Sequence, residues 1–317
     1  MSLVFSDFGE RRLIARIRRF YGYSWPEDDC FYVRNGKNYL LMTTDSMTSL
    51  SHIPEGVSAE STGYFFAASN ISDIAAMGGM PRYFMSAFIF PDKTRISYLD
   101  GIERGISKCL REYGVKMAGG DIKEGTEVNL TGFAMGEVEA NRILRRTGMK
   151  TGDMLCVTGS LGKNAAGYYM WKRKKSARWA EVLMHILPRV REGRFISKNG
   201  ATAAIDLSDG VYSAIGQLGK LNGIGFDIHY SKLPIAPLAQ KVSRSLNISI
   251  EELALNFGGD YEILFTVPEA KFDSMYALSK KRGIKISCIG VVTKGTNRLI
   301  NNGKPTRIAK SGYEHFR

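Results

Sequence analysis

Ala203-Ala204-Ile205-Asp206-Leu207-Ser208-Asp209-Gly210 is the stretch on which the fold turns. Small and apolar residues predict a short buried strand ending on Asp206. The polar, glycine-closed turn that follows predicts a helix starting just after it. The first half repeats the device. Tyr39–Met42 reads as a strand ending at Thr43-Thr44-Asp45, and Val115–Ala118 as a short strand running into Gly119-Gly120-Asp121. A strand closed by an aspartate, with helices between, predicts mixed α/β structure in both halves.

The spacing elsewhere agrees. Leu13, Ile14, Ile17 and Phe20 recur at helical spacing behind Asp7-Phe8-Gly9-Glu10, which has the form of a capping box. Ser58 to Met77 is Ala-rich and free of proline, a predicted helix stopped by Gly78-Gly79. A second helix is predicted from Ser97 to Tyr113 and strands over 128–138, 154–158, 261–267 and 284–292. A polar, basic connection at 141–151 divides the chain into domains of residues 1–140 and 141–317.

Composition narrows the class. The 317 residues include 44% hydrophobic and 24% charged residues, which excludes a disordered or low-complexity chain. No apolar run reaches the roughly 18 residues that span a bilayer, and Met1–Phe5 lacks a signal-peptide pattern, so a cytoplasmic protein without membrane contact is expected. The net charge of +13 favours anionic partners. It is scattered, apart from Lys172-Arg173-Lys174-Lys175, which reads as a solvated helix end, and no nucleic-acid-binding signature accompanies it. Cys30, Cys109, Cys156 and Cys288 lie far apart without a CxxC pair, and the four histidines show no metal-binding spacing.

The chemistry rests on aspartates. Asp29, Asp45, Asp121, Asp206 and Asp209 fall at loops or strand ends, and Asp73 on a helix of small residues. Alone, each reads as a turn residue or cap. Gathered into one cleft they would repel each other unless cations held them, and hard oxygen ligands suit Mg²⁺ with phosphates. Gly159-Ser160-Leu161-Gly162-Lys163-Asn164 is not a P-loop, because Val157 stands where the first glycine belongs and Asn164 where Ser or Thr does. The turn still leaves open an anion at the following helix terminus.

An ordered set of motifs now carries a likeness: Thr43-Thr44-Asp45 with His52 seven residues on, Asn70–Gly78, Gly119-Gly120-Asp121, Arg146-Thr147-Gly148, Ala204–Gly210, Gly258–Glu262 and Gly312–Phe316. Over nearly its whole length the chain resembles the thiamine-monophosphate kinases of the aminoimidazole-ribonucleotide synthetase-like superfamily. The resemblance implies two α/β domains, with the N-terminal sheets of two subunits forming a β-barrel in a homodimer. It implies transfer of the ATP γ-phosphoryl group to thiamine monophosphate, without a phosphoenzyme and without an acid–base residue. By the same likeness Asp29, Thr43, Thr44, Asp45, Asp73, Asp121, Asp206 and Asp209 would bind several Mg²⁺ ions. Gly120, Asp121, Arg146 and Ser208 would contact ATP, with Arg146 offering its fork of donors to a phosphate. His52, Gly259 and Tyr313 would lie at the acceptor.

Three departures bear on that acceptor. Gly259 replaces a usual glutamate, Lys310 a usual aromatic residue, and Leu161-Gly162-Lys163-Asn164 the usual Leu-Gly-Asp-Ser turn. Rival readings are other ATP-dependent members of the superfamily and a basic nucleic-acid-binding protein. A carbamoyl dehydratase would need a C-terminal cysteine, whereas the chain ends His315-Phe316-Arg317; a selenophosphate synthetase would need a reactive N-terminal one, and Cys30 lacks that setting.

Overall fold

The structure, a computed structural model, describes residues 4–23, 25–309 and 312–316. The first half runs α1 (Glu10–Arg18), β1 (Phe31–Asn35), β2 (Asn38–Thr48), α2 (Ala59–Ala76), β3 (Met80–Phe90), α3 (Ile96–Tyr113), β4 (Lys116–Glu124) and β5 (Asn129–Glu139). Its sheet has the order β1-β2-β5-β3-β4, antiparallel except for the parallel pair β3–β4, whose crossover is α3.

The second half continues with β6 (Met154–Thr158), α4 (Lys163–Lys174), α5 (Ala177–Leu183), α6 (Val190–Lys198), β7 (Ala203–Asp206) and α7 (Val211–Asn222). Then come β8 (Gly225–His229), α8 (Pro237–Leu246), β9 (Ile263–Val267), α9 (Glu269–Lys281), β10 (Ile286–Thr293), β11 (Arg298–Asn301) and β12 (Lys304–Arg307). The second sheet has the order β12-β11-β8-β10-β6-β9-β7.

Helix α2 positions the site. Ser58 caps it, its hydroxyl accepting from the Ser61 amide at 3.1 Å. Its residues are buried on nearly all sides because it packs on α3, on β2 and β5, and on α6 of the second half. Small residues make that possible. A Cβ on Gly63 would stand 2.0 Å from the Ile102 carbonyl oxygen, and one on Gly105 only 1.9 Å from that of Glu60. Phe66, Ile71 and Ile74 of α2 meet Leu41, Phe84 and Leu130 of the sheet in the first core.

Several expectations change. Strand β2 does not stop at Asp45 but runs on to Thr48, with Asp45 opposite Gly132 of β5. One side of this polar stretch faces the site, and the backbone ladder needs no apolar side chain to continue. Asp121 likewise sits within β4, which is exposed along its length. Asp7 does not cap α1: Gly9 is the N-cap, and the Asp7 carboxylate accepts from the Val4 amide at 2.8 Å. The stripe behind it stays at the surface, with Ile17 52% and Phe20 79% exposed. Lys172, Arg173 and Lys174 form the last turn of α4, where cations complement the helix dipole.

Replacing Gly63 by Ala is expected to push α2 and α3 apart and cost about 1–3 kcal/mol. Denaturant unfolding would measure it, and an unchanged midpoint would show that the helices part freely.

Candidate active site

Both halves supply the acidic centre. Asp29 precedes β1, Asp73 lies on α2 and Asp206 ends β7. Each offers a carboxylate oxygen within 4.8 Å of the other two. At an effective dielectric of about 20, two full charges at that distance repel by roughly 3–4 kcal/mol. Burial and mutual repulsion act together on the protonation equilibria. Asp73 is pushed well above the usual carboxylate range by burial, then by Asp45, Asp206 and Asp29. Burial and then Asp29 raise Asp206 to about 7, and burial and then Asp209 and Glu10 raise Asp45 to about 6. Oxygen-only donors that repel each other fit a hard divalent cation, which would favour the ionised forms.

Neighbouring groups aim these carboxylates. The Thr43 hydroxyl donates to Asp73 at 2.5 Å. Ser208 and Ser72 donate to the two oxygens of Asp206 at 2.9 and 3.3 Å. The Asp45 amide donates to Asn70 Oδ1 at 3.0 Å, and the Asn70 amide group donates to the Phe66 carbonyl. Arg146 donates through Nη2 to Asp29 at 2.7 Å and through Nη1 to Gln217 at 3.0 Å, while its backbone amide donates to Asp28. Its two terminal nitrogens are thus engaged by Asp29 and Gln217, while its buried Nε makes no hydrogen bond among the described residues.

Other expected ligands are not brought in. Successive strand side chains face opposite ways, so the Thr44 hydroxyl points away from Thr43 and Asp45 and donates to the Gly132 carbonyl. Asp121 is exposed on β4 and pairs with Lys123 at 3.2 Å, beside an exposed Gly120. Nor is the Gly159–Gly162 turn an open anion site. Glu262 accepts from the Ser160 amide, and Asp260 from those of Gly162 and Asn164. Arg189 neutralises Glu262.

Beside the carboxylates lies a cavity of about 620 Å³. His52, Ser208, Gly259 and Tyr313 line it with the aromatic wall of Phe65, Tyr168, Trp171 and Phe257. Ser208 joins cavity and acidic centre, through its bond to Asp206. Tyr313 is placed by its amide, which donates to the Asp209 carbonyl at 3.2 Å. His52 accepts from the Ser51 hydroxyl if its Nδ1 is unprotonated, and burial and then His315 lower its pKa, so the ring is neutral near pH 7. Lys310 lies outside the described residues.

Glu10 and Arg11 were not among the expected site residues. Arg11 Nη2 donates to Ser213 at 2.6 Å and stands 3.7 Å from Asp209, while its amide donates to Glu314 at 3.1 Å. No local pattern announces contacts across some 300 positions. The signal available was the acidic-basic pair opening a helix of otherwise ordinary spacing.

Residues 27–138 match the AIR synthase related protein N-terminal domain, and residues 150–300 the C-terminal domain. The two halves thus carry the paired domains of that class. A thiamine-monophosphate kinase of Buchnera aphidicola (subsp. Schizaphis graminum) is 32% identical over 303 residues, covering 91% of each chain. One of Pyrococcus horikoshii is 30% identical over 293 residues, covering 92% of this chain and 90% of its own. The structure described as AaThiL complexed with AMPPCP and TMP superposes with a TM-score of 0.89 at 25% identity, covering 99% of both chains. Escherichia coli HypE, at 20% identity and a TM-score of 0.72 over 94% of this chain and 96% of its own, shares the fold. The chain belongs to the thiamine-monophosphate kinase family.

Acids whose folded pKa lies above the unfolded value hold protons that unfolding releases. The raised values, near 6 for Asp45 and 7 for Asp206, therefore make their contribution to metal-free stability decline as pH rises from about 4 through 7. A divalent cation is expected to raise the melting temperature more near pH 8 than near pH 6, because fewer protons compete with it. Equal increments in a thermal scan would argue against a cation site at these carboxylates.

Proposed function

We propose that this chain is a phosphotransferase that converts thiamine monophosphate and ATP to thiamine diphosphate and ADP. The observation that carries this reading is the junction of two features through Ser208: a three-carboxylate centre built from both halves and an aromatic-lined cavity. Family membership supplies the substrates, and the likeness to AaThiL complexed with AMPPCP and TMP supports them.

The acceptor phosphate, with a second pKa of about 6, is already largely dianionic near neutral pH. It needs no strong base. One of its oxygens attacks the γ-phosphorus, a new P–O bond forms, and the bond to the β-bridging oxygen breaks as ADP leaves with the electron pair. The barrier is one of positioning and charge. Asp29, Asp73 and Asp206 would hold Mg²⁺, with Asp45 and Asp209 close by, and the bound cation would neutralise phosphate charge. Arg146 keeps Asp29 in place, and Thr43, Ser72 and Ser208 orient Asp73 and Asp206. The aromatic wall would pack the acceptor's rings and exclude water, with His52 and Tyr313 at its rim.

We assign the domains as residues 1–140 and 141–317, which the division into two sheets supports. Homodimer formation through the first sheet is supported by its bare outer face, where Tyr83, Met85, Ile89 and Phe133 are exposed beside Met117 and Ile122 of β4. Gly120 and Asp121 lie on that strand, and their roles toward ATP and metal remain with the family likeness. No helix among the described residues is long and apolar enough to cross a membrane. The four free cysteines agree with a reducing cytoplasm as the place of action.

Asp73→Asn is expected to keep the fold, with a metal-free melting temperature equal to or above that of the wild type, and to lose product formation by at least about a hundredfold. Chromatographic separation of thiamine mono- and diphosphate after incubation with ATP and Mg²⁺ would check it. Near-normal turnover would remove Asp73 from the metal set. Absence of product from the wild type, with Mg²⁺-dependent ATP binding intact, would overturn the acceptor.

A further inference from the structure

Two of the departures from the family's pattern meet in space. Asn164, in the first turn of α4, is 6% exposed and lines the cavity. Its Nδ2 donates to the Leu183 carbonyl at 2.5 Å, and since a carbonyl can only accept, this contact fixes which end of the carboxamide is which. The other end, Oδ1, faces Gly259. A Cβ on Gly259 would stand 2.5 Å from it, and the φ of +88° there also disfavours any side chain. Because residue 259 is glycine, the Asn164 oxygen remains uncovered. Among the described residues no N–H or O–H donates to it.

Two of the cavity's other side-chain acceptors are engaged, and the amide oxygen of Asn256 belongs to a less buried side chain than that of Asn164. Glu252 accepts from Tyr169 at 3.3 Å and from Asn256 at 3.0 Å, and His52 Nδ1 faces the Ser51 hydroxyl at 2.8 Å. Thiamine monophosphate presents one amine N–H₂ donor, on its aminopyrimidine ring; its thiazolium has no N–H. A largely buried acceptor left without a donor is costly, so it selects for a ligand that brings one.

We infer that Asn164 is a specificity-determining residue of this cavity, its Oδ1, left uncovered by Gly259, accepting from the substrate's exocyclic amine. The inference rests on the proposed thiamine-phosphate acceptor. It assigns Asn164 to recognition of the ring, apart from the phosphoryl-transfer machinery.

The test compares thiamine monophosphate with its 4-oxo analogue, in which a carbonyl replaces the amine, in the wild type, Asn164→Ala and Asn164→Ser. Discrimination is a ratio measured within each variant, so a reduced folded fraction does not alter it. The wild type is expected to favour the amine by about tenfold or more in kcat/KM. Both variants are expected to bring that ratio close to one, raising KM for thiamine monophosphate while leaving KM for ATP near its wild-type value. An unchanged ratio in both variants, or an equal rise in both KM values, would overturn the assignment. No turnover of thiamine monophosphate by the wild type would instead overturn the proposed function, and this assignment with it.

Discussion

Repulsion among Asp29, Asp73 and Asp206 is the constraint around which the rest of the structure is arranged. Three carboxylates within 4.8 Å cannot all ionise cheaply in a partly buried cleft. The fold nevertheless fixes them there, from a loop, a helix and a strand end in two different halves. Arg146 compensates on one side through Asp29, and Arg11 on the other near Asp209. Hydroxyls of Thr43, Ser72 and Ser208 fill the space between. Such a centre is unfavourable on its own and becomes favourable in the company of cations and phosphates, which is what a site for phosphoryl transfer requires.

The long buried elements were legible in the sequence. α2 and α3 appear within a residue or two of the expected bounds because their small or periodic residues leave little alternative. Asp206 stands at the end of its strand as expected, because a buried apolar run meets a glycine-closed turn there. Asp45 and Asp121 were misplaced for the converse reason: a strand with a polar site-facing side, or with an exposed surface, lacks the hydrophobic alternation by which strands are read.

Among the site residues, identity was easier to read than engagement. Arg146 was visible as a cation beside an acidic set, but not its orientation toward Asp29 and Gln217. The glycine turn before α4 was visible as an anion cradle, but not that Asp260 and Glu262, some hundred residues later, would supply the anions themselves. Asn164 and Gly259 were each visible as departures. Only their proximity shows that one oxygen is uncovered because the other residue has no side chain.

The contact between α1 and the segment around Glu314 has a consequence for synthesis. The Glu10 amide donates to the His315 carbonyl and the Arg11 amide to Glu314, closing free N–H groups at the helix start. A ribosome releases α1 among the first segments and makes its caps some 300 residues later. Both sheets can therefore form while α1 still waits for these partners. These contacts lie beside the acidic centre, so that side of the cleft depends on residues made after the last strand of either sheet.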